Sequence, residues 1–175
     1  YFFEWLYPAH FQLFLKIVQA WHTSPDVMNV LLKFISEFVF SRNQRISFGS
    51  SSPNGILLFK ETSKLLCAFG ASIAKIVPVK DPYEEKYRLV MVAMEILARA
   101  LSGDYCNFGV FLLYNDRALV DALEVVVKLG LVIPLPDILK YPKLCKAYYT
   151  LVENLFHNHT EILLRFEPAV LLKLI

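Results

Sequence analysis

The chain has 175 residues, is 56% hydrophobic and 19% charged, and carries a formal net charge of +2. That is too apolar for a disordered chain, long enough for one buried core, and too nearly neutral to argue for a nucleic-acid partner. Lys16, Lys33, Glu37, Glu95, Arg99, Glu124 and Lys128 break the long apolar runs short of the roughly 18 residues of a membrane span, so no membrane insertion is expected.

In chain order, Ala9–Trp21 carries a weak helical pattern. Ser24-Pro25 is a good N-cap and first-turn pair. After it, apolar residues fall at Val27, Val30, Leu31, Phe34, Ile35, Phe38 and Val39, the face of a helix. The stretch from Ser41 to Phe59 reads SRNQRISFGSSSPNGILLF. Its Ser/Gly content suggests a phosphate loop, but neither G-x-x-x-x-G-K-[ST] nor G-x-G-x-x-G is present and no strand precedes it. The simpler reading is a joint between helices. Ser52 caps the next helix, Pro53 sits at its first position, Ser50 and Ser51 supply turn polarity, and Ile46 and Phe48 tuck back under the fold. Arg42, Arg45, Lys60 and Lys64 form a small basic cluster around this joint, the candidate partner contact.

A weaker pattern covers Pro53–Phe69. A strong helix is predicted from Asp81-Pro82 to Ser102-Gly103, with a core stripe of Tyr87, Val90, Met94, Leu97 and Leu101 and a wet stripe of Glu84, Arg88, Glu95 and Arg99. Gly103 is its expected terminator. A short helix at Phe108–Tyr114 precedes another from Asn115-Asp116 to Gly130, whose polar edge is Arg117, Asp121, Glu124 and Lys128. The next starts near Tyr141-Pro142. It exposes Lys143, Lys146, Thr150, Glu153 and His157 and buries Leu144, Tyr148, Leu151, Val152 and Leu155. A last, weak pattern runs from Glu161 to the end. Strand evidence is confined to the β-branched run Ile73–Val79, which has no partner.

Helices joined by short connections are antiparallel neighbours. Several here are apolar on more than one side: Met28 and Leu32 extend the first strong stripe, and Leu89, Val92 and Ile96 the second. Such helices are buried between neighbours, as in stacked hairpins. Pair lengths lie near or above the ~40–47 residues of HEAT repeats. The expected fold is therefore all-α, a HEAT-type helical-hairpin solenoid, in preference to a closed bundle. The chain opens without an initiator Met and closes inside an apolar helical pattern. The expectation is one interior segment, 1–175, of roughly three hairpins truncated at both ends.

Chemistry is sparse. Cys67, Cys106 and Cys145 are odd in number with apolar neighbours, which suggests buried thiols, and no C-x-x-C pair suggests zinc. His157-Asn158-His159 lacks further ligands and reads as a solvated helix end. No nucleophile motif or paired carboxylates are evident. Trp5, Trp21, Phe108, Phe111, Tyr148 and Tyr149 read as packing. No catalytic, cofactor-binding or metal residue is assigned.

Several blocks in order carry a resemblance: LLKFISEFVF (31–40) into RNQRISF (42–48), SSPNGILLFKETSK (51–64), ALSGDYCNFGVF (100–111) and YPKL (141–144). Together they resemble exportins of the importin-β (karyopherin-β) superfamily. The resemblance implies a HEAT-repeat superhelix that binds protein cargo together with Ran-GTP, meets nuclear pore proteins, and shuttles between nucleus and cytoplasm without enzymatic activity. It carries no residue-level motif onto these blocks. A helical-repeat interaction scaffold outside nuclear transport is the alternative. On the receptor reading the polar edges Arg88/Arg99 or Lys143/Lys146 are candidates for the inner surface.

Overall fold

The computed structural model describes residues 2–40, 48–49, 52–164 and 166–174. Among them there is no strand, and eleven α-helices are present. They are α1 (Phe2–Leu6), α2 (Ala9–Trp21), α3 (Pro25–Val39), α4 (Asn54–Ile73), α5 (Arg88–Leu101), α6 (Gly109–Leu113), α7 (Ala118–Val132), α8 (Leu135–Lys140), α9 (Pro142–Asn158), α10 (Thr160–Leu163) and α11 (Pro168–Leu174), with a π-helical turn at Tyr83–Tyr87 leading into α5. No described helix is long and apolar enough to cross a membrane.

The long helices sort into two layers. In one, α4 packs between α2 and α7; in the other, α5 packs between α3 and α9. Helices within a layer run parallel. Arg88 and Asp26 meet at the starts of α5 and α3, and Arg99 meets Glu37 at their ends. In the other layer, Lys60 and Ser63 of α4 bind Asp116 and Ala118 at the start of α7, and Gly70 further along α4 lies against Val125 of α7. Parallel neighbours need a returning helix between them, and the opposite layer supplies it. This is the all-α helical-repeat arrangement expected from the apolar patterning.

The centre of the array is α5, eleven of whose fourteen residues are buried. Only Arg88, Glu95 and Arg99 break its apolar surface, one narrow stripe at helical spacing. A ring cluster closes the lower layer, where Phe59 of α4 meets Phe108 edge-on at 4.9 Å and Phe111 at 5.3 Å. Where it is described, the joint differs from expectation by one residue: Pro53, expected at the first helical position, is the N-cap, and α4 starts at Asn54. The Ser52 hydroxyl accepts from the Asn54 amide at 3.2 Å, and the Pro53 carbonyl takes the first helical bond, from Leu57. Phe48 packs between Phe3 and Tyr105. Arg42, Arg45, Ile46, Ser50 and Ser51 lie outside the described residues.

Trp5, Trp21 and Tyr149, read as packing, are exposed, because no described neighbour covers those sides of α1, α2 and α9, and further details differ from the sequence reading. First, α3 buries Met28, Leu31, Leu32, Ile35 and Val39, whereas Val30 is 70% exposed and Phe34 is 38% exposed. The helix has two apolar faces, and periodicity does not say which one meets α5. Second, the helix into α5 begins with a π turn, too short to shift an apolar repeat. Third, Gly103 has no positive φ; Asp104 carries it at 54°. Gly103 is required instead by the Tyr105 ring, against which any Cβ would collide. Fourth, α1 and α8 are additional helices, and the C-terminal pattern divides into α10 and α11. Short helices of five or six residues have too few turns to display a period.

Candidate interaction surface

Lys60 and Lys64, the described half of the basic cluster, are both engaged within the chain. Lys60 Nζ donates to Asp116 Oδ2 at 2.7 Å, and Lys64 Nζ donates to Glu61 Oε1 at 2.6 Å. Asp116 sits just before α7, where its other carboxylate oxygen accepts the Ala118 amide. The Lys60 hydrogen bond and that amide hold the Asp116 carboxyl below the usual carboxylate range. The two lysines thus tie α4 to the start of α7 and to their own helix. Arg42 and Arg45 lie outside the described residues.

The seam between α3 and α5 is neutralised. Arg99 donates to Glu37 at 2.7 Å and to the buried Ser36 hydroxyl at 2.9 Å, and its guanidinium lies 4.6 Å from the centre of the Phe40 ring. Arg88 meets Glu84 at 2.8 Å and Asp26 at 3.6 Å. The seam between α5 and α9 is different. Its helix starts are tied by a Tyr83–Tyr141 stack at 4.3 Å and by Tyr87 Oη donating to Asp137 Oδ2 at 2.9 Å. Further along lies a cleft of about 340 Å³ with Ala98 and Ala147 on its walls and Arg99, Lys143, Lys146 and Thr150 around it.

A second, almost wholly apolar groove of about 700 Å³ lies among α1, α2 and α3, lined by Phe2, Trp5, Phe14, Ile17, Val30 and Phe34. The open face of α3 forms one of its walls. A third cavity, about 760 Å³, lies between the 102–109 turn and the α9–α10 corner. Here His157 is exposed as expected, but His159 is not a solvated residue. Its ring stands edge-on to Phe108 at 5.3 Å, and burial pulls its pKa down. The apolar neighbour arrives from fifty residues away, which no local pattern records.

Beyond the N-terminal layers, a polar clamp fixes the connection from α4 to α5. The Glu85 carboxylate accepts the amides of Val79, Lys80 and Asp81, and these three bonds lower its pKa. Lys86 Nζ donates to the Ile76 carbonyl. The clamp is structural, and sequence reasoning missed it because a glutamate reaching back to its own loop leaves no periodic trace.

No group of three or more His, Cys, Asp or Glu side chains converges among the described residues. All three cysteines are free thiols and half-buried. Burial raises the pKa of Cys67, with the Asp121 charge adding to it, and burial alone pushes Cys106 up to about 12. Neither is an activated nucleophile.

Comparison with curated proteins gives the surface its context. The chain is 41% identical over 172 residues to exportin-7-B of Xenopus laevis, 41% identical over 160 residues to exportin-7 of Dictyostelium discoideum, and 38% identical over 172 residues to Ran-binding protein 17 of Homo sapiens. These matches cover 97%, 91% and 97% of this chain and 16% of each relative. The chain is thus homologous along nearly all its length to exportin-7 and Ran-binding protein 17, and spans about one sixth of the relatives it matches. No protein-family model and no solved structure matches it.

Proposed function

We propose that this chain is a stretch of a nuclear transport receptor that binds protein cargo together with Ran-GTP and carries it through nuclear pores. The carrying observation is 41% identity to exportin-7 over 97% of the chain. A relative whose name declares Ran binding, at 38% identity, supports Ran as the partner. On this reading the protein is a binding machine, not an enzyme, and shuttles between nucleus and cytoplasm. The stacked layers supply what such a receptor needs: an extended surface whose curvature can shift slightly at each repeat junction. Cargo and Ran-GTP that favour the same curvature would strengthen each other's binding reciprocally.

The chain is read as about three hairpins, α2 with α3, α4 with α5, and α7 with α9, inside a longer array. The apolar groove among α1, α2 and α3 supports this, because a preceding hairpin would cover it. In the basic joint, Lys60 and Lys64 are already paired, so Arg42 and Arg45 are the side chains to test as a partner contact.

The deciding experiment is a pull-down with the full-length protein against Ran loaded with GTP or GDP, followed by localisation with and without a block of nuclear export. Preference for the GTP form and nuclear accumulation under the block support the proposal. Equal binding of both forms, or none, replaces it with a helical-repeat scaffold outside transport. Charge reversal of Arg42 and Arg45 in the same assay tests the joint; unchanged Ran and cargo binding would make it purely structural.

A further inference from the structure

The two seams of the α3–α5–α9 layer treat their cations differently. On the α3 side, Arg88 and Arg99 each meet an acid of α3. On the α9 side, Lys143 and Lys146 are exposed, and no ion pair or hydrogen bond engages either among the described residues. They lie three residues apart on one face of α9, beside the cleft, with Thr150 a turn further on. The small side chains of Ala98 and Ala147 line the cleft, and both are largely covered by their neighbours. Glu95 also borders the cleft, and among the described residues it forms no ion pair with either lysine.

The placement works against folding. Of the pair, Lys143 lies in the first turn of α9, where the helix dipole disfavours a cation, and that turn contains no acid to offset it. Their mutual repulsion at i,i+3 adds to this. Two exposed, unpaired cations beside an open cleft are suited to an external anion. Lysine ammoniums are point charges that accept carboxylates in many geometries.

We propose that the α5–α9 cleft seats an acidic segment of a protein partner, with Lys143 and Lys146 meeting its carboxylates and the Thr150 hydroxyl beside them. The proposal rests on reading the chain as a protein-binding stretch of a receptor. It goes beyond that reading by assigning the site and the chemistry of the segment.

The test uses the full-length protein and a fluorescein-labelled Glu-rich peptide, followed by anisotropy at about 0.15 M salt, where exposed charges beyond about 8 Å are largely screened. K143E/K146E is compared with K16E/K33E, which makes the same change in net charge at exposed lysines of α2 and α3. K143E/K146E should weaken binding by about tenfold or more, the control by less than about twofold, and K143R/K146R should retain it. The reversal places an acid in the first turn of α9, which the dipole favours, and removes the repulsion between the two lysines; circular dichroism checks that a loss of binding does not stem from unfolding. No binding to the unaltered protein, equal effects of the two double variants, or tighter lysine-dependent binding of a uridine-rich RNA than of the peptide would overturn the proposal. If peptide binding behaves as expected while Ran-GTP shows no preference, the cleft stands and the receptor reading falls.

Discussion

The same substitution, glycine to alanine, should have opposite signs at two helical positions. At Gly130, near the end of α7, a new Cβ meets Met94 Sδ at 3.4 Å and Tyr148 Cε2 at 3.5 Å, both ordinary contacts. Alanine there restricts the unfolded chain and covers backbone, a gain of about 0.5–1 kcal/mol. At Gly55, in the first turn of α4, a new Cβ would run into the Tyr105 carbonyl oxygen. That oxygen belongs to a turn fixed by Asp104 at positive φ and by the Phe48–Tyr105 ring contact, so the backbone has little room to retreat. Overpacking of this kind costs about 1–3 kcal/mol, which outweighs the helical gain. A chain of this size shifts its melting temperature by about 2–4 °C per kcal/mol. Thermal denaturation followed by circular dichroism should therefore place Gly130→Ala above the parent and Gly55→Ala clearly below it. If Gly55→Ala melts at or above the parent temperature, the close approach between α4 and the 103–107 turn is wrong, and with it the docking of the joint.

Arg99→Ala should cost about 1 kcal/mol in urea denaturation, mainly because the buried Ser36 hydroxyl loses its donor; in a cycle with Ser36→Ala the two losses should not add. The Asp116 carboxyl is held below its unfolded value, so its contribution is present above the unfolded pKa and lost as pH falls through the folded one. Denaturation midpoints of the parent and Asp116→Asn should thus differ at neutral pH and converge under acid. Cys106, raised to about 12, should react with Ellman's reagent at pH 8 far more slowly in the folded protein than in denaturant. In the 175-residue chain by itself, where the groove is open, Val30→Glu should change stability by less than about 0.5 kcal/mol in the same urea titration, whereas Leu32→Ala on the buried face should cost about 2–5 kcal/mol.

What was legible in the sequence followed from period. Helices α3, α7 and α9 start where Ser24-Pro25, Asp116 and Tyr141-Pro142 place them, within about two residues. The wet stripe of α5 emerged as Arg88, Glu95 and Arg99 because a buried helix leaves few polar positions, and each carries information. What was not legible depended on partners far along the chain. Which face of α3 meets α5 is decided by α5. The burial of His159 is decided by Phe108, and the engagement of Lys60 by Asp116. In the basic cluster the residues nearest in sequence suggested a shared patch, yet their described members turn to different acids, because an ammonium on a long stem finds the nearest carboxylate whatever helix supplies it.

That pattern of engagement bears on where a helical array can hold recognition at all. In its layer α5 is enclosed by its neighbours, so its polar residues are confined to one narrow stripe. On α5 the stripe faces two seams at once. Arg88 and Arg99 turn toward α3, where Asp26 and Glu37 satisfy them, and this fixes the register of one repeat on the next. The α9 seam has no matching acids on α5 beyond Glu95, so its lysines contribute nothing to register. A charge that sets the stacking of repeats cannot be changed without altering the curvature of the array, whereas a charge that stacks nothing can vary with the partner. Within the α3–α5–α9 layer, the seam whose charges do not set register is the one at the α5–α9 cleft, so that is where its surface chemistry can vary with a partner.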